Sequence, residues 1–300
     1  MRPPTLFLDV RLDAVGGGLA SEVTPYLATF QQDSTLASYA TIPVSQLQNA
    51  IQGRHVLIGT HGFNNSRWDG IDHLSNWATL LQLPDPSVFV GLLWPGDSVW
   101  AHGLDYPDEP KIADGAGPKI ASFVDQNFGD AASISFSSHS LGARVVLATI
   151  SNLSRPVRRA ILMAGAIDDN CFDSEFEAEA VADKIEKVSI LASTKDDVLK
   201  DLFPLGNLLG GIIAAGHPWF RTALGRSGPA TQAPANFQPP FQIPSNWDYG
   251  HGNYLQIDAS SPSTPLSPPD VPPEGSPEPW DGQTGWQEAF SAAFVSSRFS

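Results

Sequence analysis

The run SISFSSHSLGARVVL, residues 133–147, holds the residues best suited to covalent chemistry. An apolar, strand-like segment stops at Ser138-His139-Ser140 and resumes beyond Gly142 with helix-like spacing. Ser138-x-Ser140-x-Gly142 fits a small-x-Ser-x-Gly form of the nucleophile elbow, with serine in the first glycine position and Ser140 at its centre. Such a strand-to-helix turn holds the central hydroxyl clear of the backbone. Small neighbours let the helix pack closely, and an adjacent amide faces a developing oxyanion. Ser135 makes no second elbow, because it lies inside the strand with no glycine two residues on. Upstream, VLIGTHGFNNS ends another strand-like run in His61-Gly62-Phe63, a turn whose amides would form the other half of an oxyanion hole. The two expected donors are Phe63 N–H and Leu141 N–H.

A nucleophilic serine needs a base within reach, and the chain offers His55, His61, His73, His102, His139, His217 and His251. After an elbow serine the acid and then the histidine follow in chain order, which leaves His217 and His251. His217 sits in the apolar AAGHPWF, whereas two glycines flank His251 in WDYGHGNYL, a turn able to present an imidazole, so His251 is preferred. For the acid, KVSILASTKDDVLKDLF places Asp196 and Asp197 just beyond a strand end, where a carboxylate can accept the imidazole Nδ1–H and stabilise the imidazolium. Asp168 and Asp169, after RAILMAGAI, are the rivals. Both pairs end strands, and the residues by themselves lean toward the later pair.

The elements that must position these groups are legible as an alternation. Strand-like, apolar-rich runs fall at 5–11, 55–61, 88–94, 133–138, 159–164 and 187–193, in the manner of parallel strands covered on both faces. Between them, 77–83, 112–128 and 141–153 have the spacing of crossover helices. The fold class expected is therefore α/β, a mostly parallel central sheet flanked by helices, in a single domain over 1–300. After Leu199 the pattern changes. Residues 200–247 read as a small apolar, cap-like insertion, with Leu209, Ile213, Trp219 and Phe220 as candidates for an acyl pocket and a buried helix as the alternative. Residues 262–279 are proline-rich and read as an extended surface strap. The closing segment spaces Trp286, Phe290 and Phe294 four apart, so that a terminal helix can dock an aromatic face.

Composition narrows the function classes. Apolar residues make up 42% of the 300, enough for a substantial core. Acidic residues number 32 against 17 basic, a formal net charge of −15, which repels phosphate backbones and excludes nucleic acid as a partner. Cys171 is the single cysteine, so neither an internal disulfide nor a multi-thiolate zinc site is available, and no H-E-x-x-H spacing points to a metal. Asp9, Arg11 and Asp13 interrupt the first apolar run, which therefore reads as neither signal peptide nor membrane anchor. The expectation is a soluble, cytoplasmic chain, unless a leader was removed.

Six motif elements in order resemble the α/β-hydrolase superfamily and, more narrowly, a bacterial group of α/β-hydrolases with an S-H-S-[LM]-G elbow. They are His61-Gly62-Phe63-Asn64-Asn65, Trp94-Pro95, Ser138 to Gly142, Ala164 to Asp168, Ser193 to Leu199 and Gly250-His251, spanning roughly residues 55–255. Gly165-Ala166 and Val198 depart from the group's pattern. The resemblance implies a Ser140-Asp196-His251 triad, Asp196 being chosen because it stands three residues after Ser193. It also implies a cofactor-independent serine hydrolase cleaving carboxylic esters, a carboxylesterase or lipase-like esterase with a small-molecule substrate. Amidase, thioesterase or acyltransferase chemistry on the same triad, or a non-catalytic binding module, are the alternatives.

Overall fold

The computed structural model describes residues 2–12, 18–96, 109–172, 181, 183–201, 222–230, 235–247, 249–255 and 286–300. Among the described residues nine strands form one sheet: β1 (Thr5–Arg11), β2 (Leu19–Phe30), β3 (Leu36–Thr41), β4 (His55–Thr60), β5 (Ser87–Leu93), β6 (Ser133–His139), β7 (Val157–Met163), β8 (Ile185–Ser193) and β9 (Phe241–Ile243). Their order is β3-β2-β1-β5-β4-β6-β7-β8-β9. From β1 through β5 to β9 every pair is parallel, while β2 and β3 add an antiparallel hairpin beside β1. The helices are α1 (Val44–Ile51), α2 (Arg67–Leu80), α3 (Glu109–Asn127), α4 (Gly142–Asn152), the single turn α5 (Leu224–Ser227) and α6 (Trp286–Phe299). Two helix pairs, α3 with α4 and α2 with α6, flank the sheet.

The apolar runs became strands for the reason their composition suggests: β1 is buried along its whole length, and β4 to β8 are buried toward their C-terminal ends. The hairpin β2–β3 escapes a search for apolar runs because β2 is mostly only partly buried and β3 mostly exposed, with Pro25 and several hydroxyls in β2. Helix α2 begins ten residues before the 77–83 segment. Its start is set by a capping box in which Ser66 Oγ accepts from Asp69 N–H while the Asp69 carboxylate accepts from Ser66 N–H. A cap of this kind contributes about 1 kcal/mol.

Within the 200–247 segment, residues 222–230 and 235–247 are described: β9 pairs with β8, and α5 packs so tightly on the end of β7 that a Cβ on Gly225 would lie 2.1 Å from the Ala164 carbonyl carbon. Leu209, Ile213, Trp219 and Phe220 lie outside the described residues, as do His217 and the 262–279 strap. In α6, Phe290 and Phe294 are buried as their spacing predicts, against Phe241 and, for Phe290, Trp247. Among the described residues no helix is long and apolar enough to cross a membrane.

Candidate active site

Strand order decides where chemistry can occur. From β4 the chain steps to β5 on one side, and it later returns to place β6 on the other. The sheet therefore has a switch point between β4 and β6, and the turns leaving their C-terminal ends diverge to open a crevice. Register aligns those ends, Thr60 lying opposite both Leu92 and Ser138, so that His61-Gly62-Phe63 and His139-Ser140-Leu141 meet at this edge.

Ser140 takes a left-handed backbone conformation, φ 55°, between β6 and α4. For a non-glycine residue this costs on the order of 1–2 kcal/mol. Local bonds hold it: Ser140 N–H donates to Met163 O at 3.0 Å, and its carbonyl accepts from Ala143 N–H at 3.0 Å and Ala166 N–H at 3.1 Å. The turn is possible only with small partners. A Cβ on Gly142 would stand 2.5 Å from His61 O, and one on Gly62 would stand 2.6 Å from Ser140 Cβ.

The side chain of Ser140 meets two groups from far along the chain. Its Oγ lies 2.8 Å from His251 Nε2, and His251 Nδ1 lies 2.7 Å from Asp196 Oδ2. The Asp196 side chain is wholly buried and that of His251 is 13% exposed. Asp196 sits just past the end of β8, where its Oδ1 accepts from Leu199 N–H at 2.9 Å, leaving Oδ2 directed at the imidazole. A carboxylate so placed accepts Nδ1–H, which leaves the Nε2 lone pair to face the Ser140 hydroxyl.

His251 rides on a single 3-10 turn, His251–Asn253, that is anchored at both ends. Ser193 Oγ donates to Tyr249 O at 2.6 Å, Tyr249 Oη donates to Gln287 O, and Ser291 Oγ donates to Tyr254 O. Trp77 Nε1–H donates to Ser291 Oγ, so α2 and α6 jointly brace the turn.

The turn after β4 is equally constrained. His61 is fully buried, stacks on Trp94 at 5.8 Å and donates Nδ1–H to Gly62 O at 2.8 Å. Burial, aided by the Arg11 charge, pushes its pKa down to about 3, so it is neutral. Arg11 Nη1 donates to Asn65 O at 3.0 Å and Trp94 O at 3.2 Å, tying the turn to β1 and β5. Burial raises the Asp9 pKa despite its partners Arg11, Arg67 and Tyr39. Of the expected oxyanion donors, Leu141 N–H is engaged by no hydrogen bond among the described residues. Phe63 directly follows the glycine packed on Ser140.

The rival candidates lie elsewhere. Asp168 is half-buried and bridged to Ala223, Asp169 N–H donates to Thr222 O, and Asp197 is exposed beside Asp196 with no described contact to His251. His55 bonds Ser133 Oγ at the opposite end of β4, and His73, on α2, bonds Asn65 Oδ1 in the turn after β4. Among the described residues no group of His, Cys, Asp and Glu is arranged to hold a metal. Sequence reasoning gave no site role to Arg11, Tyr249 or Ser291, and marked Asn65 only as the last residue of the His61-to-Asn65 motif. Only Trp286-x3-Phe290, which flags α6 as a docked helix, hinted at that brace.

A mostly parallel sheet with flanking helices and a strand-turn-helix serine at its switch point define the α/β-hydrolase superfamily. The chain belongs to the family described as alpha/beta hydrolase of unknown function (DUF900), whose model matches residues 42–223. No curated protein matches it in sequence. Similar solved structures include esterase PE8, at 17% identity over 67% of this chain and 86% of that one, TM-score 0.35. They also include the Est2 esterase of the Planctomycetes species Thermogutta terrifontis, at 11% identity over 82% and 84%, TM-score 0.34. A third is acetyl xylan esterase 1 from Thermoanaerobacterium sp. JW/SL YS485, at 14% identity over 83% of each chain, TM-score 0.36. At these scores the likenesses carry no argument about substrate.

Proposed function

We propose that the protein is a serine hydrolase that cleaves carboxylic esters of small molecules through an acyl-enzyme intermediate. The observation that carries this reading is the continuous relay from Ser140 Oγ through His251 to Asp196, with bonds of 2.8 and 2.7 Å. Ser140 Oγ attacks the ester carbonyl carbon as His251 Nε2 takes its proton, and Asp196 stabilises the imidazolium. The carbonyl oxygen gains the negative charge and is held by Leu141 N–H and Phe63 N–H. His251 then returns the proton to the departing alkoxide. In a second cycle His251 deprotonates a water that attacks the acyl carbon, then gives that proton to Ser140 Oγ as the ester bond breaks and the acid leaves. The chemistry needs no cofactor.

The test is treatment with a fluorophosphonate, which phosphonylates activated serines with loss of fluoride, followed by peptide mass spectrometry. The expected adduct is on Ser140, accompanied by loss of turnover on a short-chain p-nitrophenyl ester. An unlabelled Ser140, or an adduct on another serine, overturns the assignment.

A further inference from the structure

We propose that His139 is a positioning residue whose imidazole ties the turn carrying the His251 base to the strand carrying the Ser140 nucleophile. The inference rests on the serine-hydrolase reading above and extends it to a residue outside the relay.

His139 ends β6 immediately before Ser140 and is 1% exposed. A buried imidazole is costly unless its nitrogens are used. Its Nε2 lies 2.8 Å from the backbone oxygen of His251. A carbonyl only accepts, so Nε2 carries the proton and His139 is the donor. The lone pair then resides on Nδ1, which has no hydrogen-bond partner among the described residues and faces Gly62, 3.2 Å from where a Cβ on that glycine would be. The ring is thus held between the turn after β4 and the turn bearing His251. It also lies 4.8 Å from the His251 ring and 5.6 Å from Tyr254.

This bond matters because of where His251 sits. Gly250 and Gly252 flank it, and the hydrogen bonds within its turn, Asn253 N–H to Gly250 O and Gly250 N–H to Asn253 Oδ1, set the turn's shape without fixing its place over Ser140. The anchors at Tyr249 and Tyr254 grip its two ends. The His139 bond grips the base residue itself, from the residue adjacent to the nucleophile, so the two reacting side chains are registered through one buried ring. An apolar side chain of similar size would fill the space but remove the bond to His251 O, leaving the middle of the turn held only from its two ends. Burial and the neighbouring His251 hold the His139 pKa well below the usual histidine range, so the ring stays neutral and adds no charge against the imidazolium.

The test compares His139→Gln, His139→Asn and His139→Leu with the wild type in the full chain. The glutamine amide reaches the position of Nε2, and the asparagine amide stops short of it. Steady-state kcat and KM, the fluorophosphonate labelling rate of Ser140, and the far-downfield proton signal of the His251 Nδ1–H bond are measured on each. Misplacing a reacting group by about 1 Å costs up to about 10² in rate. The expected result is a loss of that order in kcat and labelling rate for His139→Leu and His139→Asn, with KM little changed and the downfield signal broadened. His139→Gln should recover most of the rate and the signal. Should the leucine variant fail to fold, the Gln and Asn pair decides alone. Equal rates in those two variants, or losses confined to KM, overturn the positioning role while wild-type labelling at Ser140 leaves the hydrolase reading standing. Absence of labelling in the wild type overturns both.

Discussion

Replacing Asp196 by asparagine tests the relay most sharply, because the structure dictates how the new amide must sit. Asp196 Oδ1 accepts from Leu199 N–H at 2.9 Å, and a carbonyl oxygen can do the same. The asparagine Oδ1 therefore stays at Leu199, and its NH₂ takes the place of Oδ2, 2.7 Å from His251 Nδ1. Two donors cannot face each other, so the imidazole moves its proton to Nε2 and presents N–H, not a lone pair, to Ser140 Oγ. The flipped alternative restores the imidazole but sets an NH₂ against Leu199 N–H in a fully buried site, at a cost of about 1–3 kcal/mol. Loss of the correct tautomer costs about 10⁴ in kcat in a serine triad, equivalent to about 5.5 kcal/mol of transition-state stabilisation. The side chains are nearly isosteric, so the fold should persist. Turnover of a short acyl ester, with circular dichroism as the fold control, measures this. Asp168→Asn and Asp197→Asn, which touch neither His251 nor Ser140 among the described contacts, should stay close to wild type. Retention of more than about a tenth of wild-type kcat by Asp196→Asn, or a larger defect in Asp168→Asn, would refute the argument.

Other consequences are equally direct. Ser140→Ala should abolish ester hydrolysis without unfolding the protein, since alanine keeps the Cβ and leaves the φ of 55° as strained as before; residual turnover in purified protein contradicts the assignment. Gly62→Ala places a methyl 2.6 Å from Ser140 Cβ and should lower kcat about 10²-fold, whereas the methyl of Gly59→Ala meets the Phe89 ring instead and should affect stability more than turnover. Comparable kcat in the two variants would dismiss the packing argument. For His61, the folded pKa of about 3 lies below the ordinary 6.5, so below pH 6.5 the unfolded chain binds a proton that the folded chain refuses. The stability present above that pH is then lost by up to about 1.4 kcal/mol per pH unit as pH falls toward 3, and buried His139 acts in the same direction. Denaturant titrations from pH 7 to 4.5 should give a shallower slope for His61→Asn than for the wild type, and equal slopes would show that His61 is not the group responsible. Ser291→Ala leaves Trp77 Nε1–H and Tyr254 O without their shared partner and should destabilise by about 1–3 kcal/mol, measured by urea unfolding.

The local chain by itself determined the parallel strands and the elbow. Fully buried parallel strands demand unbroken apolar runs, and a serine between such a run and a helix-like segment needs Gly142 two residues on, because a Cβ there would strike His61 O. The same logic made the Trp286-Phe290-Phe294 spacing readable as a docked helix. The hairpin β2–β3 was illegible, since a partly exposed strand with mixed residues carries no such run.

Which carboxylate lies against which imidazole was a matter for tertiary structure. Asp196 and His251 stand 55 residues apart, and nothing local to either records the other. Their meeting follows from the strand order that puts the end of β8 beside the turn after β9, and from the Leu199 amide that aims one carboxylate oxygen outward. The separation of His139 from the other histidines has the same origin. Its neighbours in the chain mark it only as the residue before a serine, while its hydrogen bond to His251, 112 residues on, exists solely because the folded sheet brings the two turns together.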